Sequence, residues 1–478
     1  MSTKTFIVAI ELGSTKIRGI AGKKNPDGTM SVLALSEEDA TQCIRKGVVY
    51  NIDKTSQAIN NIIQRLRSQL KMGIKHVFVG IGGQSVLSKH NMLFCDMPGT
   101  EGGIVSQQLI MEMMDENRAT DYNDKEILDV FVQEYRADNL MQSDPVGIPC
   151  QHLEGNFLNI LQSKRHYQNL IKSFANAEVK IAELYLAPIA LADVVLTPTE
   201  KRGGCMLVDL GAETTTVVVY QKNIVRHVAV IPLGSNNITK DLCSLQLEEQ
   251  DAEDLKIKYA SAFTDEKDID PDETYKLGRQ SFSAVNVIDL VEARMEEIIT
   301  NVWNQVPTEY AEKLLSGIVL TGGGAQMRNI NVAFRNITNI EQIRIAKDTN
   351  ENFTPQPLLP SSFTHNTLVG LLAKGDQNCC ADTAVQKTNA DIFNQPEQPV
   401  QPVQPAAPQP AQVSNPNPTF NIRPKEESAK KEEELQSEED RLIQEYRQKK
   451  EQREKEKEKS SLGSKISRWI QALTNPEE

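Results

Sequence analysis

Two segments of the chain carry an acidic residue, a leucine and a glycine in a row. The first, Glu11 to Gly13, ends an apolar run near the N-terminus, and the second, Asp209 to Gly211, ends an apolar run that begins at Cys205. Small or hydroxyl residues follow in both, and then a second run of β-type residues. Each segment predicts a strand, a tight turn and a returning strand. Copies so far apart favour two homologous halves facing a shared cleft over a solenoid.

The residue types in these turns suit a polyphosphate with a magnesium ion. Gly13 and Gly211 allow close backbone approach to a ligand, and successive N–H groups in such a turn bind anions. Mg²⁺ keeps several waters beside phosphates, so Glu11 and Asp209 are placed to hold it through water. Hydroxyl donors and a point positive charge would complete the clamp: Ser14, Thr15, Lys16, Thr214 and Thr215. Two ordinary hairpins are the alternative, which the duplication disfavours.

A third glycine-rich segment follows the apolar run at 316–321. Gly322, Gly323 and Gly324 precede a stretch compatible with a helix. The segment lacks the Lys-Ser/Thr pair of a Walker loop and the spacing of the dinucleotide fingerprint. A strand, glycines and a helix in this order can pass beneath a flat ring or offer a helix N-terminus to phosphate.

The three segments resemble, in order, the phosphate-1, phosphate-2 and adenosine motifs of the actin, DnaK-type chaperone and sugar-kinase superfamily. The sequence is most similar to the FtsA family of bacterial cell-division proteins, over roughly residues 5 to 375 and in a short C-terminal stretch. Five further segments carry the resemblance: QEYRADN, DPVGI, VIPLGSNNIT, DAEDLKIKYA and VIDLVEARMEEI. The resemblance implies an α/β, actin-like two-lobed fold of duplicated ribonuclease-H-like domains that binds ATP and Mg²⁺.

Domain boundaries follow from the same resemblance. Lobe I is expected at 1–83 and 166–202, an inserted small α+β subdomain at 84–165, lobe II at 203–234 and 316–375, and a helical subdomain at 235–315. Apolar spacing predicts a helix over Thr55–Leu70, a buried strand over Lys75–Gly83, and largely helical structure over Tyr167–Leu196.

Additional nucleotide-site residues are implied by the resemblance. Gly234 and Asn236 fall in one matching segment, and Glu253 and Lys256 match the pair that reaches ribose and adenine. Because Glu253 and Lys256 stand three residues apart on one helix face, an exposed ion pair is an equal alternative.

A partner surface is implied as well. Arg279, Arg294 and Glu297 match positions that bind the C-terminal tail of the tubulin-like protein FtsZ, although a solvated helix face is the alternative for Arg294 and Glu297. The subdomain at 84–165 would contact the neighbouring subunit of a filament and other division proteins, with a simple surface insertion as the alternative.

Two departures from the superfamily bear on activity. MreB-like filaments place an acidic residue before a proline to orient the attacking water, whereas this chain has Leu186-Ala187-Pro188, and neither Glu183 nor Asp193 stands at the matching position. Weak or negligible ATP hydrolysis is therefore expected. Ala212-Glu213 replaces two usual glycines, and a carboxylate there would repel phosphates unless it points away or joins the metal shell.

Composition narrows the class of protein further. The net charge of −13 over 478 residues argues against a general nucleic-acid binder. Seven scattered cysteines indicate reduced thiols in a cytoplasmic protein, and the adjacent Cys379 and Cys380 are incidental, redox-active or lipidated. No secretory signal and no spanning segment is evident.

The tail predicts a tethered membrane helix. A linker at 376–459 is Pro-rich over 395–418 and strongly charged over 425–459, where a solvated helix and a disordered spacer both fit. The segment 460–474 would form an amphipathic helix on the membrane surface. Its apolar face comprises Leu462, Ile466, Trp469, Ile470 and Leu473. One such helix binds weakly, so stable attachment requires several copies in a polymer.

The hypothesis is an ATP-binding, actin-like cell-division protein. It would polymerise on the cytoplasmic face of the cell membrane at the septum and tether FtsZ filaments. A small-molecule kinase of the same fold and a pilus-assembly ATPase of the PilM type are the alternatives, and neither accounts for the C-terminal helix.

Overall fold

The computed structural model describes residues 5–27, 29–97, 102–346 and 363–380, together with the backbone of 421–424. Two compact units divide these residues. The larger comprises the described part of 1–91, 114–134 and 156–418, and the smaller comprises the described part of 92–113, 135–155 and 419–478.

The first lobe of the larger unit is built on a five-stranded sheet. Its elements up to residue 81 are β1 (Ile7–Leu12), β2 (Lys16–Lys24), β3 (Met30–Asp39), β4 (Ile44–Arg45), β5 (Val48–Val49), α1 (Ile52–Leu70) and β6 (His76–Ile81). The predicted helix over Thr55–Leu70 is confirmed. It begins three residues earlier because Asn51 caps it, its side chain accepting from the Lys54 N–H. The predicted strand over Lys75–Gly83 is confirmed as β6.

The chain then runs through the region where we predict an insertion. Its elements are β7 (Leu87–Asp96), β8 (Gly103–Ile104), α2 (Gln107–Ala119), β9 (Lys125–Ala137), β10 (Leu140–Gln142), β11 (Pro149–Cys150) and β12 (His152–Ser163). The smaller unit holds the hairpin of β9 and β10 and the pair of β8 and β11. Its core is apolar and includes Leu93, Leu109 and Leu153.

The chain returns to the first lobe through α3 (Lys164–Asn176), β13 (Lys180–Leu186), α4 (Ala187–Val195) and α5 (Pro198–Gly203). The prediction that Tyr167–Leu196 is largely helical is wrong in its middle. Residues 180–186 pair with β6 as a parallel strand, which completes the sheet order β13-β6-β1-β2-β3. Tertiary pairing overrides local helical preference at this edge.

The remaining part of the described chain includes the second lobe. Its elements are β14 (Cys205–Leu210), β15 (Thr215–Gln221), β16 (Ile224–Ile231), α6 (Ser235–Leu242), α7 (Glu249–Tyr259), β17 (Thr274–Leu277), β18 (Gln280–Ser283), α8 (Ala284–Asn304), α9 (Thr308–Ala311), β19 (Ile318–Thr321), α10 (Ile330–Thr338), β20 (Ile343–Ile345), α11 (Asn366–Lys374) and β21 (Asn421–Pro424). The helix predicted directly after the glycines is displaced, because Gly323–Gln326 forms a 3-10 turn and α10 begins later.

The two lobes repeat one sheet. In the first, β1 is antiparallel to β2 and parallel to β6, and in the second, β14 is antiparallel to β15 and parallel to β19. The strand order β20-β19-β14-β15-β16 in the second lobe therefore matches the order β13-β6-β1-β2-β3 in the first lobe, strand by strand. This shared topology confirms the duplicated halves predicted from the two acidic-Leu-Gly segments.

Three details bear on the remaining predictions. Helix α11, within the range predicted for lobe II, packs Leu371 and Leu372 into the core of the first lobe. In the smaller unit, β21 pairs with β7 inside the range predicted as linker. Cys379 is buried, and its N–H donates to the Phe6 carbonyl. Within the described ranges, no helix is long and apolar enough to cross a bilayer.

Candidate functional site

The two predicted turns adopt the same geometry. The Gly13 N–H donates to the Lys16 carbonyl at 3.0 Å, and the Gly211 N–H donates to the Thr214 carbonyl at 2.9 Å. A Cβ at Gly13 or Gly211 would lie 2.8 or 2.7 Å from the same carbonyl oxygen, so both positions require glycine for a close approach. These two N–H groups close the turns and are not available to a ligand.

Both turns border one cavity in the larger unit. Its walls include several predicted site residues: Glu11, Gly13, Ser14, Thr15, Asp209, Gly211, Thr214, Gly322 and Gly323. The structure thus brings together residues from the three glycine-rich segments. Gly322 has φ of +87°, and a Cβ there would lie 2.4 Å from Oδ1 of Asp209. A side chain at this position would be strained and would also collide with the second turn.

Two carboxylates meet at this cavity. Burial raises the pKa of Glu11 to about 7, Arg18 opposes this rise, and Asp209 adds to it. Burial also raises the pKa of Asp209 to about 6. Within the part of the chain that the structure describes, Oε2 of Glu11 is a buried atom with no hydrogen-bond partner. A partly desolvated pair with an unsatisfied oxygen fits a hydrated divalent cation.

The positively charged side chain that borders the cavity beside the first turn is Arg18, and not the predicted Lys16. The Lys16 ammonium bonds to Glu37 at 2.5 Å, its side chain is half exposed, and it does not border the cavity. Arg18 does border it, with a guanidinium nitrogen 3.9 Å from the Glu11 carboxylate. The antiparallel pairing of β2 with β3 sets Lys16 opposite Asp39 and Arg18 opposite Glu37, which supplies the lysine with acidic neighbours. Arg18 is a cavity residue that the sequence pattern did not indicate.

Thr215 is also displaced from its predicted role. Its side chain is fully buried, and its hydroxyl donates to the Leu233 carbonyl at 2.9 Å. Thr214 and Thr216 border the cavity instead. Side chains alternate along a strand, so the residues on either side of Thr215 face the opposite way.

Gly234 and Asn236 support the second turn. The Asn236 N–H donates to the Ala212 carbonyl at 2.8 Å, and a Cβ at Gly234 would lie 2.5 Å from that same oxygen. Asn236 also borders an adjoining pocket. Gly234 therefore permits α6 to begin directly against the turn.

The adjoining pocket contains Glu253 and Lys256. The Lys256 side chain is only 7% exposed, and its ammonium bonds to Glu253 at 2.7 Å and to the Thr239 hydroxyl at 2.8 Å. An exposed ion pair is therefore excluded for the lysine. Gly323 and Gly324 form another wall of the same pocket. A buried, hydrogen-bonded cation beside glycine backbone suits recognition of a polar, flat ligand.

Glu213 points away from the cavity. Its carboxylate accepts the Lys46 N–H at 2.6 Å. The sequence left two ways for this carboxylate to avoid repelling phosphates: to point away or to join the metal shell. The structure has the first of these.

Glu183 and Asp193, the acidic residues on either side of Pro188 in the sequence, do not border the cavity. Ala187 and Pro188 border the cavity. Glu183 accepts from the Tyr185 hydroxyl, and Asp193 is paired with Lys201 at 2.6 Å and Lys374 at 2.8 Å. Both carboxylates are committed to these structural contacts.

The three predicted partner residues lie in different environments. Arg279 is exposed at the end of the β17–β18 hairpin. Arg294 is paired in bidentate fashion with Asp241, at 2.5 and 2.9 Å, and also bonds to Glu297. Arg294 is therefore a half-buried member of an ionic cluster between α6 and α8, and Glu297 lies exposed at its edge. The predicted membrane residues of 460–474 lie outside the described residues.

Other cavity residues were missed from the sequence. They are Gly47, Gly82, Gly83, Thr364 and Thr367. The glycines at the end of β6 were a visible signal, because they follow a buried strand just as Gly322 follows β19. The threonines follow a segment outside the described residues and carried no local pattern.

The paired sheets and the cavity between the duplicated turns define an actin-like protein. A chain of the PilM–PilN type IV pilus biogenesis complex shares this fold, with a TM-score of 0.53, 14% identity, and coverage of 77% of this chain and 97% of that one. This likeness concerns the fold alone.

Sequence comparison identifies the family. The profile "Cell division protein FtsA" matches residues 206–362, and "SHS2 domain inserted in FTSA" matches 83–161. The cell division protein FtsA of Porphyromonas gingivalis is 31% identical over 382 residues, covering 78% of this chain and 79% of that protein. FtsA of Neisseria meningitidis is 30% identical over 335 residues, covering 68% and 80%. The chain belongs to the FtsA family of actin-like cell division proteins, which confirms the predicted family and favours it over the pilus-assembly alternative.

Proposed function

We propose that the cavity binds ATP with Mg²⁺. The observation that carries this proposal is the convergence of two glycine turns on Glu11 and Asp209, beside the pocket of Glu253 and Lys256. The turns would take the phosphates, Gly322 to Gly324 would lie under the adenosine, and Lys256 would reach it. Bound Mg²⁺ would neutralise phosphate charge. Within the described residues no three His, Cys, Asp or Glu side chains cluster, so the ion would rest on two carboxylates, water and phosphate.

Hydrolysis would be weak. Ala187 and Pro188 offer no base beside the phosphates, and Glu183 and Asp193, on either side of them in the sequence, are engaged by other residues. The nucleotide would then act as a structural ligand that favours a closed, filament-forming state. Orientation of the attacking water is one of the main contributions that phosphoryl-transfer enzymes supply.

The cellular role we infer is a membrane-bound scaffold of the septum. Family membership supports polymerisation at the cytoplasmic face of the cell membrane and capture of the FtsZ tail by the surface of Arg279, Arg294 and Glu297. The helix at 460–474 would hold the filament on the bilayer, and the region 84–165 would contact a neighbouring subunit and further division proteins.

The test is sedimentation with liposomes and FtsZ filaments, with Mg·ATP, Mg·ADP or neither. We expect the full chain to recruit FtsZ to liposomes most strongly with Mg·ATP, and a chain ending at residue 459 to leave FtsZ in the supernatant. Arg279→Ala should retain liposome binding and lose FtsZ. Recruitment that is independent of both nucleotide and tail would contradict the proposal.

A further inference from the structure

Among the described residues, a hydrogen bond joins the two halves of the duplicated fold at the edge of the cavity. The Lys46 N–H, in the turn between β4 and β5, donates to the Glu213 carboxylate of the second glycine turn at 2.6 Å. The two residues belong to opposite halves of the duplicated fold. A hydrogen bond to an ionised acceptor is shorter and stronger than a neutral one.

The β4–β5 turn is fixed on its own lobe. The Gly47 N–H donates to the Ser14 hydroxyl at 2.9 Å, and the Lys46 carbonyl accepts the Gln84 N–H at 2.8 Å. Gly47 and Gly83 both have positive φ, and their backbones touch so closely that a Cβ at Gly47 would lie 2.6 Å from Cα of Gly83. The Lys46 N–H therefore has a set direction relative to the first glycine turn.

The opposite end of the bond is equally constrained. The Gly211 and Ala212 carbonyls accept N–H groups from Ser235 and Asn236 at 3.0 and 2.8 Å. A Cβ at Gly234 would lie 2.7 Å from the Glu213 nitrogen. The backbone that carries Glu213 is thus held against the start of α6, and only the glutamate side chain spans the gap to the other lobe.

We propose that Glu213 is a latch that ties the phosphate-2 turn to the β4–β5 turn and slows nucleotide exchange. The inference rests on the proposed nucleotide function, because it assigns Glu213 to closure of that same cavity. The carboxylate points out of the cavity and uses its charge on a backbone N–H of the other lobe. Opening of the lobes must break this bond, so nucleotide release and loss of the bond are coupled.

Two substitutions separate latching from charge repulsion. Glu213→Gln removes the charge and retains an acceptor oxygen, whereas Glu213→Ala removes both. A latch predicts that the glutamine variant, whose neutral acceptor makes a weaker bond, falls between the wild type and the alanine variant. Repulsion predicts that both variants hold nucleotide more tightly than the wild type.

The first measurement needs no nucleotide. Hydrogen exchange of the full chain, resolved at the Lys46 amide, should be at least tenfold faster in Glu213→Ala than in the wild type, with Glu213→Gln between the two. Circular dichroism establishes that each variant is folded. Equal protection of Lys46 in the wild type and Glu213→Ala would overturn the latch.

The second measurement is release of the fluorescent nucleotide mant-ADP. We expect release to be three- to thirtyfold faster from Glu213→Ala and faster to a smaller extent from Glu213→Gln. Slower release from both variants would overturn the latch in favour of repulsion. If the wild type binds no mant-ADP while Lys46 loses protection in Glu213→Ala, the interlobe bond stands, and the proposed nucleotide function and the control of exchange fail.

Discussion

The two glycine turns share a backbone and differ in what surrounds them. Around the first turn, polar side chains provide the contacts: the Ser14 hydroxyl accepts a hydrogen bond from the Gly47 N–H, and Arg18 approaches Glu11. Around the second turn, backbone groups at the start of α6 provide them, and the one long side chain, Glu213, reaches the other lobe. The two halves therefore share the geometry of the turn, whereas polar side chains surround the first turn and backbone contacts brace the second.

The glycines that follow the equivalent strands β6 and β19 give the sharpest test of this difference. Gly322→Ala places a Cβ 2.4 Å from Asp209 in a backbone of positive φ, whereas a Cβ at Gly82 would meet only Ala187 at 3.6 Å. We expect Gly322→Ala to lower the free energy of unfolding by about 1–3 kcal/mol and Gly82→Ala to change it by less than about 0.5 kcal/mol. Urea denaturation measures both, and equal costs would contradict the asymmetry.

The two carboxylates should make the stability of the nucleotide-free protein depend on pH. The pKa of Glu11 is raised from 4.5 to about 7 and that of Asp209 from 3.8 to about 6. The folded state binds more protons between these values, so the free energy of unfolding falls as pH rises towards 7. Glu11→Gln should reduce this fall by on the order of 1–3 kcal/mol.

Asp209→Asn is the matched variant for that titration. Asp209→Asn should also reduce the fall in the free energy of unfolding with rising pH. The part that it removes should be complete at a lower pH than the part that Glu11→Gln removes. Denaturant unfolding at intervals from pH 5 to 8 gives the profiles, and parallel profiles for the wild type and both variants would show that neither carboxylate is desolvated.

Neighbouring threonines of the second turn test which side chains face the cavity. Thr215→Val removes the buried bond to the Leu233 carbonyl and should cost about 1 kcal/mol in the free energy of unfolding. Thr216→Val should leave the free energy of unfolding nearly unchanged and weaken Mg·ATP binding, because Thr216 borders the cavity. A loss of Mg·ATP affinity in Thr215→Val and a loss of stability in Thr216→Val would show that Thr215, and not Thr216, faces the cavity.

The smallest effect is expected at Lys16, on the more polar first turn. Its side chain is half exposed and its ammonium is bonded to Glu37, and such exposed ion pairs contribute little to stability. Lys16→Met should change the free energy of unfolding by at most about 0.5 kcal/mol and ATP affinity less than Arg18→Met does. Calorimetry on the two variants compares them, and a larger loss of affinity in Lys16→Met would restore the lysine as the phosphate contact.

Local sequence pattern predicted the parts of the site that local geometry determines. The two strand–turn–strand segments and the helix at α1 follow from residue periodicity and glycine placement. Thr215 shows the limit, because an error of one residue at the start of a strand exchanges the buried and cavity faces. Lys16 and Glu213 show a second limit, because their partners are distant in sequence. Strand pairing brings Glu37 to Lys16, and contact between the lobes brings Lys46 to Glu213.

The most direct test is a calorimetric titration of Mg·ATP into the wild type, Gly13→Val and Gly211→Val. Each valine would drive a side chain into a carbonyl oxygen of its own turn. Saturable binding by the wild type, reduced at least tenfold in both folded variants, is the predicted result. Absence of binding to the wild type, or unchanged affinity in either folded variant, would contradict a nucleotide clamped by both turns.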